Sequence, residues 1–218
     1  MKYFISAFVI LLILLPGYSK AEDQWTLKKD SNGVKVYSMP SGGANLIIFK
    51  GVAEIDAPIE VVTEVVKDIP SYTQWYWQCK EARILKTDPG KHTIIFYFVS
   101  HPGWPVSDRD FIVYNTQVGD PKSGEVSFVL GNIAEDIVPR QDGIVRLKNV
   151  SGGWNIKKID SNRTTVTLLI KTEPGGSVPL AIANMTMADT PFNTLKELRR
   201  MAAMDKYYQK AGLPENPK

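Results

Sequence analysis

The chain has one cysteine, Cys79, so no disulfide can form within it. A core of this size carries a fold without one, even in an exported protein. Cys79 stands among Trp75, Tyr76 and Trp77 and reads as a buried, inert thiol. Histidine is nearly as scarce. His92 and His101 each adjoin a Pro-Gly turn, where both are expected to face solvent. There is no Gly-x-Ser-x-Gly elbow, no paired metal-ligand spacing and no glycine-rich phosphate loop, so no metal or cofactor is expected. An excess of either charge is also missing. Without Lys2 and Lys20, the 26 basic residues fall to 24 against 23 acidic ones. That balance leaves no electrostatic footprint for nucleic acid.

Long apolar runs are absent after the first residues. Tyr3 to Leu15 is apolar almost throughout, follows Lys2, and breaks at Pro16-Gly17. Ser19-Lys20-Ala21 then offers the small residues of a cleavage site. The pattern predicts a cleaved signal peptide over 1–21 and one domain over 22–218. Spanning a bilayer takes about 20 apolar residues, more than this run supplies. No cysteine follows the run to take a lipoprotein anchor. The expected location is the periplasm, or outside the cell if the source is not Gram-negative.

The remaining chain alternates strands and turns. Strands are predicted at Val34–Ser38, Leu46–Ile55, Ala82–Lys86, Thr93–Ser100, Asp110–Gln117, Glu125–Leu130, Val145–Val150, Gly153–Ile159 and Thr164–Thr172. Asp56 is a candidate cap for a helix with Pro58 in its first turn, and a second short helix is expected over Ser71–Trp77. From Val178 to about Gln209, an apolar stripe at three- and four-residue steps predicts a long amphipathic helix. Pro191 should kink or restart it, with Thr190 available as a new cap. This order predicts an α+β fold: a curved antiparallel sheet with the long helix across its apolar face. It leaves open whether the interior is filled or hollow.

Four short segments carry a resemblance. They are Trp104-Pro105 with Arg109-Asp110-Phe111, Gly152-Gly153-Trp154, Glu173-Pro174-Gly175-Gly176 with Val178-Pro179, and Leu195-Lys196-Glu197-Leu198-Arg199. In this order they resemble the START family of lipid-binding domains, over roughly Asp23 to Lys210. The resemblance implies the helix-grip fold and a tunnel between sheet and C-terminal helix that holds a lipid ligand. It implies a carrier or sensor with no catalytic residues, and transient contact with a membrane surface. Strand parity places Phe96, Phe98, Phe111, Val113, Val126, Phe128, Leu130, Val145, Leu147, Val166, Leu168 and Ile170 on the lining. Ile182, Met185, Ala188 and Phe192 would face it from the helix.

Trp104 lies in the loop that the resemblance sets over the tunnel mouth, where it either touches a membrane or packs as a core aromatic. Arg109 either meets a head group or pins the loop to its strand, with Glu135 or Asp136 as an anionic partner. The family's sterol carriers hold the ligand's polar end with an acidic and a basic residue on neighbouring strands. The corresponding positions here fall near Phe96 and at Asn115, and neither is charged. Asn115 is left to anchor a hydroxyl or ester group through its amide. A helix-grip enzyme of cyclase or hydrolase type and a protein-interaction module with a filled core are the alternative readings.

Overall fold

A computed structural model describes residues 25–39, 47–133, 137–173, 175 and 180–216, with the side chains of residues 47 and 180–186 outside that description. Alternation builds a sheet. Ten strands are formed: β1 (Thr26–Ser31), β2 (Val34–Met39), β3 (Ile47–Ile55), β4 (Cys79–Asp88), β5 (Thr93–Ser100), β6 (Arg109–Asp120), β7 (Glu125–Asn132), β8 (Val145–Arg146), β9 (Val150–Lys158) and β10 (Thr164–Thr172). Their order across the sheet is β1-β2-β3-β10-β9-β7-β6-β5-β4, and β8 pairs alongside β6. Every pairing is antiparallel except β6 with β8.

Register sets which side chains share the inner face. Asn115 lies opposite Ile94 on one side and Leu130 on the other, and the row continues through Gly152 and Ile170 to Phe49. The next row holds Phe128, Trp154, Leu168 and Gly51. Gly152 and Gly153 have φ of 135° and 138°, a backbone region closed to larger residues. A Cβ on Gly153 would lie 1.8 Å from the Phe128 carbonyl oxygen, so strand β9 approaches its neighbour as only glycine can.

Among the described residues, three α-helices complete the fold: α1 (Ile59–Lys67), α2 (Leu180–Ala202) and α3 (Asp205–Lys210). Helix α2 packs on β2, β3 and β10, with Leu195, Leu198 and Met201 fully buried. Gly51 permits the close approach, because a Cβ there would sit 2.7 Å from Leu195 Cδ1 and 2.8 Å from Pro191 Cβ. Arg199 then locks the helix to the β1–β2 turn, donating to the carbonyls of Glu54, Asn32 and Gly33.

Several sequence expectations are corrected. The N-cap position of α1 is Pro58 rather than Asp56, and Pro58 makes no side-chain cap bond. The segment after α1 is a 3₁₀ turn over Ile69–Gln74. The strand expected over Val145–Val150 is two residues of β8, and Val150 instead opens β9. Helix α2 runs through Pro191 rather than restarting at Thr190, since tertiary packing on Gly51 replaces what one lost backbone hydrogen bond removes. It ends at Ala202, and α3 follows as a separate helix. Strand β1 has no counterpart in the sequence reading.

Candidate ligand-binding cavity

The inner face of the sheet is larger than the helices cover. Helix α1 packs over β9 and α2 over β1, β2, β3 and β10, and in the core they complete Val113, Val126, Phe128, Val166 and Phe192 are buried. Beside that core lies a cavity of about 130 Å³. Phe96, Phe98, Phe111, Leu130, Leu147, Leu168 and Ile170 line it, as strand parity suggested, and so do Arg109 and Asn115, which the resemblance had singled out. Val113, Val126, Phe128, Val145, Val166, Ala188 and Phe192 do not. Parity gives the face of a strand, and helix placement decides which inward residues meet space. The side chains of Ile182 and Met185 lie outside the described residues.

The sequence reading missed most of the aromatic wall. Tyr72, Tyr76, Trp77 and Trp154 also line the cavity. Tyr76 stacks on Tyr72 at 5.4 Å between centroids and meets Phe98 and Trp154 edge-on, while Phe98 stacks on Phe111 at 4.8 Å. The signal was present in the density of aromatics over 72–77, but only the fold carries that segment across to Trp154. Burial pushes the Tyr72 and Tyr76 hydroxyls well above the ordinary tyrosine range, so both stay neutral. Burial likewise pushes the Cys79 thiol up to about 12, in keeping with an inert cysteine.

Arg109 is the one charged residue among the described lining groups. It is 5 % exposed, and loss of solvation lowers its pKa from the usual arginine value, opposed by Asp108. Its Nη1 donates to the Ser107 carbonyl, which pins the loop to the start of β6. Glu135 and Asp136, the partners suggested by sequence, lie outside the described residues. Asn115 is six positions further along β6, about 20 Å away at roughly 3.4 Å per residue. It is 4 % exposed, and its Oδ1 has no hydrogen-bond partner. Leaving a buried acceptor unmet costs about 1–3 kcal/mol.

Asp110 turns to the opposite face of β6. Arg146 grips it with two bonds of 2.8 Å, and the Tyr97 hydroxyl donates to it at 2.9 Å. This pair fastens the segment ending in β8 against a second small core of Tyr97, Val99, Ile112 and Val138. The segment then delivers Leu147 to the cavity. Arg146 was not singled out by sequence, because its partner is 36 residues away.

The loop between β5 and β6 carries an exposed tryptophan and contributes to the cavity. Trp104 is 96 % exposed, so the reading of it as a core aromatic is overturned. Trp77, 39 % exposed, lines the cavity with Pro102 and Val106 of the same loop. Asp108 closes the loop's base, bonding His101 Nδ1 at 2.5 Å and Lys80 Nζ at 2.8 Å. His92 and His101 are both exposed. Among the described residues, no cluster of His, Cys, Asp and Glu could hold a metal ion.

The START domain family model matches residues 14–210. The chain belongs to the START domain family. An uncharacterized protein of Pseudomonas aeruginosa is 32% identical over 188 residues, covering 85% of this chain and 90% of its own. The phosphatidylcholine transfer protein of Bos taurus is 25% identical over 178 residues, covering 80% of this chain and 82% of its own. Among solved structures, a StAR-related lipid transfer protein from Xanthomonas axonopodis superposes with a TM-score of 0.74 at 31% identity, covering 83% of this chain and 99% of that one. The ten-stranded sheet with its C-terminal helix is thus the START helix-grip fold.

Proposed function

We propose that this START domain holds one lipid in the cavity between the sheet and α2, and carries it between membranes after export to the periplasm. The observation that carries the reading is the lining: aromatic and aliphatic side chains surround the space, and no carboxylate or histidine stands among the described lining residues. An apolar wall suits a lipid, whose extraction from a bilayer forfeits about 0.8 kcal/mol for each buried CH₂. For a chain of about 15 methylenes that is about 12 kcal/mol, which only an equally dry wall returns.

Size adds a requirement. The cavity's 130 Å³ is below the roughly 300–1,000 Å³ of pockets for drug-sized ligands. Loading therefore moves the wall, and the Phe98–Phe111 stack and Tyr76 are the groups whose turning would lengthen the space. Trp104 and Trp77 suit the membrane interface, where an amphipathic ring is favoured. Export rests on the Tyr3–Leu15 run and the Ser19-Lys20-Ala21 site.

Native mass spectrometry with lipid extraction, on protein purified from its own host, tests the proposal. One lipid class bound near one to one is expected. Phe111→Arg, which sets a charge on the part-buried cavity wall, should strip that lipid while circular dichroism stays native. Protein that arrives empty and ignores a broad lipid panel would refute the carrier reading.

A further inference from the structure

The aromatic wall brings two tyrosines to the cavity, and the fold treats their hydroxyls differently. Tyr72 donates to the Val66 carbonyl at 2.7 Å, which ties the 3₁₀ turn to α1. Other polar side chains of the wall are bonded within the protein too, Gln78 to the Pro102 carbonyl and Thr172 to the Glu173 carbonyl. Tyr76 is part-buried on the connection into β4, and its hydroxyl makes no hydrogen bond among the described residues. That oxygen is not sealed in either. Among the described side chains, the fully enclosed atom without a partner is Asn115 Oδ1, so the Tyr76 oxygen keeps accessible surface. Loss of solvation still pushes its pKa well above the ordinary tyrosine range, which places that surface on the cavity side and not in bulk water. The ring is set there by Tyr72, stacked at 5.4 Å, and by edge-on contacts with Phe98 at 5.3 Å and Trp154 at 6.3 Å.

A neutral phenol has one hydrogen to place, and leaving a desolvated donor unmet is costly. Phe98 has no acceptor and the indole of Trp154 only donates, so neither ring beside Tyr76 can take that hydrogen. We infer that Tyr76 orients the bound lipid, its hydroxyl donating to the carbonyl oxygen of an acyl ester or amide. The inference rests on the lipid-binding reading and adds to it a donor on the segment before β4, apart from the charged and amide groups of β6. A carbonyl suits this place because it accepts strongly and brings no charge into an apolar wall, where an ion would be expensive. It also has no hydrogen of its own. A ligand hydroxyl would bring one, for which Phe98 and Trp154 offer no acceptor. A pure hydrocarbon would leave the phenol unmet.

Methyl palmitate and octadecane, matched in length and differing in the ester, test this when titrated into protein stripped of lipid, with tryptophan fluorescence as the readout. Tyr76→Phe keeps the ring and removes the hydroxyl. It should weaken binding of methyl palmitate about 2–12-fold, the range for one hydrogen bond, and leave octadecane unaffected. The melting temperature of the empty variant should not fall, because the hydroxyl holds nothing within the described fold. With methyl palmitate isotopically labelled at its carbonyl carbon, the infrared carbonyl stretch should move to lower frequency in the complex and lose that shift in Tyr76→Phe. An unchanged ester affinity, an equal loss for both probes, or a carbonyl shift that survives in Tyr76→Phe overturns the inference and leaves the carrier reading standing. So does a lower melting temperature, the mark of a hydroxyl bonded inside the fold, or a co-purifying lipid without a carbonyl. Failure of both probes to bind overturns the inference as well, and an empty protein in native mass spectrometry then overturns the carrier reading with it.

Discussion

Replacing Arg146 with methionine should be among the most damaging single changes outside the cavity. The Arg146 side chain is 5 % exposed and that of Asp110 1 %, and two bonds of 2.8 Å join them. The same guanidinium donates to the Val138 carbonyl at 3.1 Å and the Pro139 carbonyl at 3.4 Å. Methionine would keep much of the volume but strand the carboxylate, leaving the Tyr97 hydroxyl as its remaining side-chain donor. Tyr97 stays a donor, since burial first and Asp110 second push its pKa up to about 12. Breaking one side of such a pair costs about 3–5 kcal/mol. At about 2–4 °C per kcal/mol for a domain of this size, the melting temperature should fall by about 6–20 °C. Urea titration followed by circular dichroism gives the free energy, provided the slope is unchanged. The double variant Asp110→Leu/Arg146→Met should recover most of the loss, because two apolar groups leave no charge buried. A loss below about 1 kcal/mol for Arg146→Met would place the pair in the range of exposed ion pairs and refute the argument.

Two further outcomes follow from the mouth. Trp104→Ala should weaken binding of the protein to phosphatidylcholine vesicles severalfold without altering its melting temperature, since a side chain 96 % exposed contributes little to folding. Flotation assays at matched protein concentration check this, and an unchanged partition removes Trp104 from the docking surface. Asp108 has its pKa lowered by the Lys80 hydrogen bond first and by His101 as well, with partial burial opposing. A depressed carboxylate contributes stability in full above its unfolded pKa of about 3.9, and that contribution is lost as pH falls through the folded value. Urea midpoints of the unaltered chain and Asp108→Asn should therefore differ by a constant amount above about pH 5 and converge below about pH 4. Parallel curves across that window would deny the carboxylate this role.

Strands whose ends carry strong turn chemistry were legible in the sequence. β5 closes at His101-Pro102-Gly103 and β10 lies between Asn162 and Glu173, and both occupy the residues predicted for them. β1 was not legible, because Thr26–Ser31 is a largely exposed edge strand that needs no alternation. β8 was overdrawn because its residues have strand chemistry, yet Leu147 must leave the ladder to reach the cavity. For the site, parity identified inward residues but could not divide them. Phe111 and Val113 point the same way from one strand, yet Phe111 lines the cavity while Val113 is fully buried in the core. Arg146 and Trp154 were beyond reach for another reason, since their partners come from distant segments.

Strand β6 shows why the site depends on register rather than composition. Arg109, Phe111 and Asn115 face the cavity, while Asp110 and Ile112 face the small core behind it. A slip of one residue would carry Asp110 into the apolar cavity and bury Arg109 against Tyr97 and Val138. Both charges would then lose the groups that meet them. The buried pair Asp110–Arg146 thus favours one pairing over its neighbours, beyond whatever it adds to stability. The parallel pairing of β8 supports the same register from the side, with Leu147 N–H donating to the Asp110 carbonyl at 2.8 Å. Because Leu147 itself lines the cavity, the bonds that hold register on one face shape the wall on the other. Ligand selectivity in this domain should therefore respond to changes at Asp110 and Arg146, although neither touches the cavity.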